Sequence, residues 1–145
     1  MTDLLTLAGY IKRNSSGSLF DPVRKKWVKA TPEEFVRQLF ITYLEKTLGY
    51  STAKMGVERK LIFENLQKRF DIVVYDKNNH PYILVECKSF ETELNQDVWY
   101  QAARYNHILK ASFLCITNGR KTLVASIQHE GKTVERTDEL PAAHY

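Results

Sequence analysis

A chain of 145 residues, 43% hydrophobic and 26% charged, has enough apolar sequence for one core and too little length for two ordinary domains, which excludes a disordered chain. The net charge of +4 suits a polyanionic partner without requiring one. No apolar run approaches a membrane-spanning length and no leader-like stretch opens the chain, so a cytoplasmic protein without membrane contact is expected. Cys87 and Cys115 lie in apolar runs with no CxxC or Cys/His cluster, which excludes a structural zinc and makes them small buried hydrophobes.

In chain order, residues 1–30 read as an N-terminal extension with a basic edge segment, 31–128 as the core and 129–145 as a loose tail, together a single domain. Residues 4–11 are apolar enough for a short strand or helix. The run from Val23 through Arg24, Lys25, Lys26 and Trp27 to Lys29 reads as a solvated edge strand guarded by its lysines, or else as a phosphate-contacting arm. Thr31-Pro32-Glu33-Glu34 predicts a helix start, with Thr31 as N-cap, Pro32 at the first helical position and Glu34 completing a capping box. Phe35, Val36, Leu39, Phe40, Tyr43, Leu44 and Leu48 continue it at helical spacing until Gly49.

A strand is expected over 57–63, then a turn over 65–69, and then two β-branched runs, Ile72-Val73-Val74-Tyr75 and Tyr82-Ile83-Leu84-Val85, around a turn. With Asn78-Asn79 as a two-residue turn, Asp71 faces Glu86, and Lys88 points to the same side. Two opposed carboxylates cost stability unless a cation lies between them, so the hairpin's open end is a candidate site for a hard divalent metal. A second helix capped by Asn95 follows, with Val98, Ala102, Tyr105 and Leu109 as its apolar stripe. Strands are expected over 112–117 and 121–128, and a short one over 132–136. This order of helix, three strands, helix and two strands implies an α/β fold with a central mixed sheet flanked by helices. The histidines His80, His107, His129 and His144 show no ligand or triad spacing, and there is no Gly-rich phosphate loop.

Asp71, fourteen intervening residues, then Glu86-Cys87-Lys88 resembles the motif of the PD-(D/E)XK nuclease superfamily, with Phe70 in place of its variable proline. Residues 20–28, 31–38, 101–106 and 117–119 extend the likeness, which is closest to the N-terminal nuclease domain of the type I restriction enzyme R subunit. The resemblance implies a restriction-endonuclease-like αβββαβ core and a Mg²⁺-dependent endonuclease acting on DNA, with Mn²⁺ as a substitute. It assigns Asp71, Glu86 and the backbone carbonyl of Cys87 to the metal, and Lys88 to the attacking water or the developing charge.

Glu34 would add a metal ligand, unless its carboxylate is used in the capping box, with Glu33 as its substitute. Gln101 and Tyr105 match a QxxxY pair: Gln101 would support the metal or the scissile strand, and Tyr105 would brace Lys88 or a phosphate, or be core. Arg37 and Gln38, with Arg24, Lys25 and Lys26, are the candidate nucleic-acid contacts. The ATP-driven motor that accompanies such a domain in restriction subunits is not in this sequence, so a stand-alone domain is expected. A homodimer or partner subunit would supply motor or specificity. The alternative is a module of the same fold that binds nucleic acid with little catalysis of its own.

Overall fold

The computed structural model describes residues 3–63, 65–128 and 133–144. After a 3-10 turn at Leu4–Tyr10, β1 (Leu19–Asp21) and β2 (Lys26–Val28) form a two-stranded ribbon of their own. The basic run thus contributes a strand to a small ribbon of its own, with Lys25, Lys26 and Lys29 exposed, as the solvated edge-strand reading expects. The main sheet has six strands: β3 (Met55–Phe63), β4 (Leu66–Tyr75), β5 (Pro81–Cys87), β6 (Phe113–Thr117), β7 (Thr122–Gln128) and β8 (Thr133–Thr137), hydrogen-bonded in that order. Neighbours run antiparallel except β5 and β6, which are parallel. A parallel pair needs a crossover, and the helix α2 (Gln96–Leu109) supplies it.

The first helix, α1 (Pro32–Thr42), begins where Thr31 predicts, its hydroxyl accepting from the Glu34 N–H at 3.1 Å. It widens into a π turn over Tyr43–Thr47 and stops at Gly49, whose φ of +83° suits glycine. Val36, Leu39 and Phe40 of α1 pack on Ile72, Val74, Ile83, Val85 and Cys87. The opposite face of the sheet packs Phe70, Val73, Leu84, Leu114 and Ile116 against Leu94, Trp99 and Ala102 from α2 and its approach. Each such buried aliphatic side chain contributes roughly 1.5–3 kcal/mol. The central strands are thus clamped from both sides, which fixes the ends of β4 and β5 in space. The result is a mixed α/β fold with the αβββαβ order, helices lying on both faces of the sheet.

Three local expectations are corrected. Residues 66–69, expected as a turn, begin β4, where Phe63 pairs with Leu66 and the ladder with β3 starts at once. The tail, expected to be loose, is pinned: Leu140 is buried, the Tyr50 hydroxyl donates to the Pro141 carbonyl at 2.7 Å, and the Ala143 N–H donates to the Leu48 carbonyl at 2.8 Å. The hairpin keeps the expected register, Ile72 with Val85, Val73 with Leu84 and Val74 with Ile83, but slips where Tyr75 meets Pro81. Its loop is not the two-residue Asn78-Asn79 turn. Asp76 organises it, its carboxylate accepting from the Asn78 and His80 N–H groups at 2.8 and 3.0 Å, and Asn79 takes φ +62°. Asn tolerates the left-handed region, which a loop with an extra residue requires. His129 and Lys132 lie outside the described residues.

Candidate active site

The β4–β5 ladder ends at Ile72 and Val85, and beyond it Asp71 takes over the backbone's role. One carboxylate oxygen accepts from the Cys87 N–H at 2.8 Å and the other from Arg37 Nη2 at 2.9 Å. On the other side of Asp71, the ladder with β3 skips one pair. Val57 pairs with Ile72 and Arg59 with Phe70, while Glu58 between them adopts φ +52°. A left-handed non-glycine residue costs about 1–3 kcal/mol. Here it turns the Glu58 carboxylate to Arg37 at 3.3 Å and Arg24 at 3.6 Å.

Alternation along β5 sends Ile83, Val85 and Cys87 toward α1 and Leu84 toward α2. Glu86 and Lys88 follow Leu84, and both line an open cleft of about 100 Å³ with Lys68, Val98, Gln101 and Ala102. Glu86 Oε1 is buried without a hydrogen-bond partner, and Lys68 Nζ stands 3.6 Å away. Burial, and then the charge of Asp71, push the Glu86 carboxyl up to about 7 against the pull of Lys68 and Lys88. The same Lys68 ammonium lies 5.4 Å from the ring centres of Phe70 and Tyr105. Tyr105 is half-buried against the core, one of the readings open for it, with its ring centre 5.4 Å from Lys68 Nζ, while Gln101 is exposed at the rim beside Glu86 and Lys88.

Behind this end of the hairpin runs a relay of alternating charge. Buried Asp21 holds Arg24, Arg24 reaches Glu34 Oε1 at 2.7 Å, Arg37 donates to the same oxygen at 3.0 Å, and Arg37 continues to Asp71. Burial lowers the basicity of Arg37, but the Asp71 hydrogen bond and the charge of Glu34 outweigh it, so its pKa is raised. Glu34 does not complete the capping box. Thr31 caps Glu34, but the Thr31 N–H donates to the Lys29 carbonyl, and the Glu34 carboxylate turns inward to Arg24, Arg37 and Gln38. The expected phosphate contacts are revised for the same reason. Arg37 and Gln38 are buried and Arg24 is taken up by carboxylates, while Lys25 and Lys26 remain exposed. Glu33, the substitute for Glu34, is exposed.

Two participants were not legible beforehand. Lys68 fell in a stretch read as a turn, and Glu58 was one charged residue in a strand, with nothing to announce its left-handed backbone. Burial first, and then Asp71, hold the pKa of the buried Cys87 thiol well above the usual range, which keeps it in the neutral form.

The donor set fits a hard divalent cation. The charge of Asp71 reaches Glu86, and Glu86 presents a buried oxygen that no hydrogen bond satisfies. Among the described residues no group of three or more His, Cys, Asp and Glu side chains is arranged to hold a metal ion, so further ligands would come from backbone or solvent oxygen. Among the described residues, no helix is long and apolar enough to cross a membrane.

The family model described as type I restriction enzyme R protein N terminus matches residues 32–141. No curated protein sequence matches the chain. Among solved structures, a fragment assigned as the HsdR subunit of a type I restriction enzyme from Vibrio vulnificus YJ016 is similar, with a TM-score of 0.55 and 20% identity over 77% of this chain. At that identity the likeness is one of fold. The chain spans 24% of that structure's length.

Proposed function

The chain belongs to the family of type I restriction enzyme R protein N-termini, and from there we propose that it is a nuclease that hydrolyses phosphodiester bonds of DNA with a divalent cation, Mg²⁺ or Mn²⁺. The observation that carries this reading is the Glu86 carboxylate, buried and unsatisfied beside Asp71, with Lys88 and Gln101 lining the same cleft. Asp71, Glu86 and the Cys87 carbonyl would hold the cation, which when bound supplies charge neutralisation at the phosphate and a more acidic water. Asp71 is held in place for this by the Cys87 N–H and Arg37. Lys88 would orient the attacking water or meet the charge that develops on the phosphate, and Gln101 would position the scissile strand at the rim. Glu34 acts through Arg37, and direct ligation by Glu34 would require Arg37 to leave it.

The single domain would act with a second copy or with partner subunits that bring a motor or sequence specificity. The second reading, a nucleic-acid-binding module with weak catalysis, draws on one observation. Arg37 already neutralises Asp71, and Lys68 partly neutralises Glu86. Incubation with linear, circular and single-stranded DNA in Mg²⁺, Mn²⁺ or chelator, beside Asp71→Ala and Lys88→Ala, separates the two. Cleavage that needs metal and is lost in both variants supports the nuclease; cleavage surviving chelator or Asp71→Ala overturns it. Salt-sensitive binding without cleavage in any condition gives the second reading.

A further inference from the structure

The ribbon of β1 and β2 stands apart from the six-stranded sheet, and charge fixes its place. Through Asp21, Arg24, Glu34 and Arg37 it is keyed to Asp71 at the end of β4. Lys25, Lys26 and Lys29 are exposed, and none of the ion pairs among the described residues uses them. Trp27, between them, is 47% exposed. Phe20 packs against it in an edge-to-face arrangement, with ring centres 5.3 Å apart and planes at 68°. Trp27, Lys26 and Lys29 line an open groove whose inner wall includes Arg24, Glu34 and Arg37. Of the acidic side chains lining it, Glu34 belongs to the relay, Glu58 pairs with Arg24 and Arg37, and Glu33 is exposed.

Lysines that guard a strand edge account for the charges of this ribbon but have no need of an exposed indole. An indole held rigid among unpaired lysines suits a strand with unpaired bases: a base stacks on the ring and the phosphates meet the ammonium groups. A duplex keeps its base faces in its own stack. We propose that the ribbon grips a nucleic-acid strand with unpaired bases, one base on Trp27 and the flanking phosphates on Lys25, Lys26 and Lys29, the strand leading on toward Asp71 and Glu86. The direction of the strand rests on the nuclease reading; the grip rests on the ribbon alone.

The chain has two tryptophans, and Trp99 is buried, so Trp99→Phe leaves Trp27 as the only indole reporter. Fluorescence of that protein is titrated in chelator, to prevent cleavage, with a short oligothymidylate, an oligouridylate, a blunt duplex and inorganic polyphosphate. Saturable quenching by the oligothymidylate, far weaker with duplex and polyphosphate, is expected; the oligouridylate tells whether the grip extends to RNA. By fluorescence polarisation of a labelled oligothymidylate, Trp27→Ala should weaken binding by on the order of tenfold while Trp27→Phe, which keeps an aromatic face and the packing on Phe20, retains most of it. Replacing the three lysines by alanine should flatten the slope of log affinity against log salt by about 2. Equal quenching by duplex or polyphosphate, unchanged affinity in Trp27→Ala, or an unchanged salt slope would overturn the proposal. Strand binding as described, in a protein that never cleaves DNA, would leave the grip standing and remove the nuclease reading. Metal-dependent cleavage with ribbon variants that bind like wild type would do the reverse.

Discussion

Lys68 and Glu86 meet at 3.6 Å across the open end of the β4–β5 hairpin, yet the Glu86 oxygen facing the lysine has no hydrogen bond. The ammonium is also drawn to the rings of Phe70 and Tyr105, so it neutralises Glu86 from a distance and leaves the oxygen free for another ligand. The Glu86 carboxyl is raised from 4.5 to about 7, and a raised carboxyl favours the folded state while protonated. That contribution is complete below 4.5 and is lost as pH rises through about 7. Glu86→Gln, neutral throughout, should therefore gain roughly 3 kcal/mol on wild type between acid and mildly alkaline pH. Urea unfolding at both pH values in chelator measures it, and parallel pH curves for the two proteins would refute the assignment. Lys68→Met should move the Glu86 titration higher still, and Mg²⁺ should move it lower in wild type.

Arg37 is the buried cation of the relay, shared by Glu34, Asp71 and the half-exposed Glu58. Removing one partner of a buried pair leaves the other uncompensated, so Arg37→Met should cost about 3–5 kcal/mol at neutral pH. Asp71→Asn made in the Arg37→Met background should cost less than it does in wild type, by at least about 1 kcal/mol. A double-mutant cycle by chemical denaturation gives that coupling. Additive costs would mean that the 2.9 Å contact is energetically idle.

The hairpin loop makes a separate prediction. Asp76 holds it through two backbone N–H groups, and the His80 hydrogen bond is the largest cause of its lowered pKa. A depressed carboxylate contributes stability above its ordinary range and loses it as pH falls through the lowered value. Asp76→Ala should cost about 1 kcal/mol at neutral pH and less in acid. Asn79→Gly should be nearly neutral, while Asn79→Val should cost about 1–2 kcal/mol, because valine cannot take φ > 0 cheaply. Thermal unfolding of the three variants orders them.

The pairing of Ile72 with Val85 was legible because strand alternation and pairing are arithmetic, but the ladder stops there, and Asp71 beyond it bonds the Cys87 N–H. α1 was legible because Thr31, Pro32 and the apolar spacing agree. The loop conformation at Asp76 was not, since Asn78-Asn79 and Asp76 both carry turn chemistry and the choice between them is energetic. The direction of the Glu34 carboxylate was not legible either. A capping box is a local pattern, whereas Arg24 and Arg37 compete for that side chain across the fold. Glu58 left no sequence trace, because its left-handed backbone is set by neighbouring strands. The pinned tail depends on Tyr50 reaching Pro141, a contact between distant residues that no local window contains.

Glu34 carries the last prediction, because its two functions fall on different atoms. Its backbone N–H is capped by Thr31, and its carboxylate belongs to the relay. Thr31→Ala should cost about 1 kcal/mol of stability through the helix end, with Mg²⁺ affinity unchanged. Glu34→Gln keeps the cap and loses the charge that holds Arg24 and Arg37 together. Arg37 is then free to pair more closely with Asp71, so Mg²⁺ should bind more weakly while α1 stays helical. Isothermal titration with Mg²⁺ and circular dichroism on both variants separate the effects. Equal weakening of Mg²⁺ in Thr31→Ala would show that the helix end, not the charge relay, sets the proposed metal site.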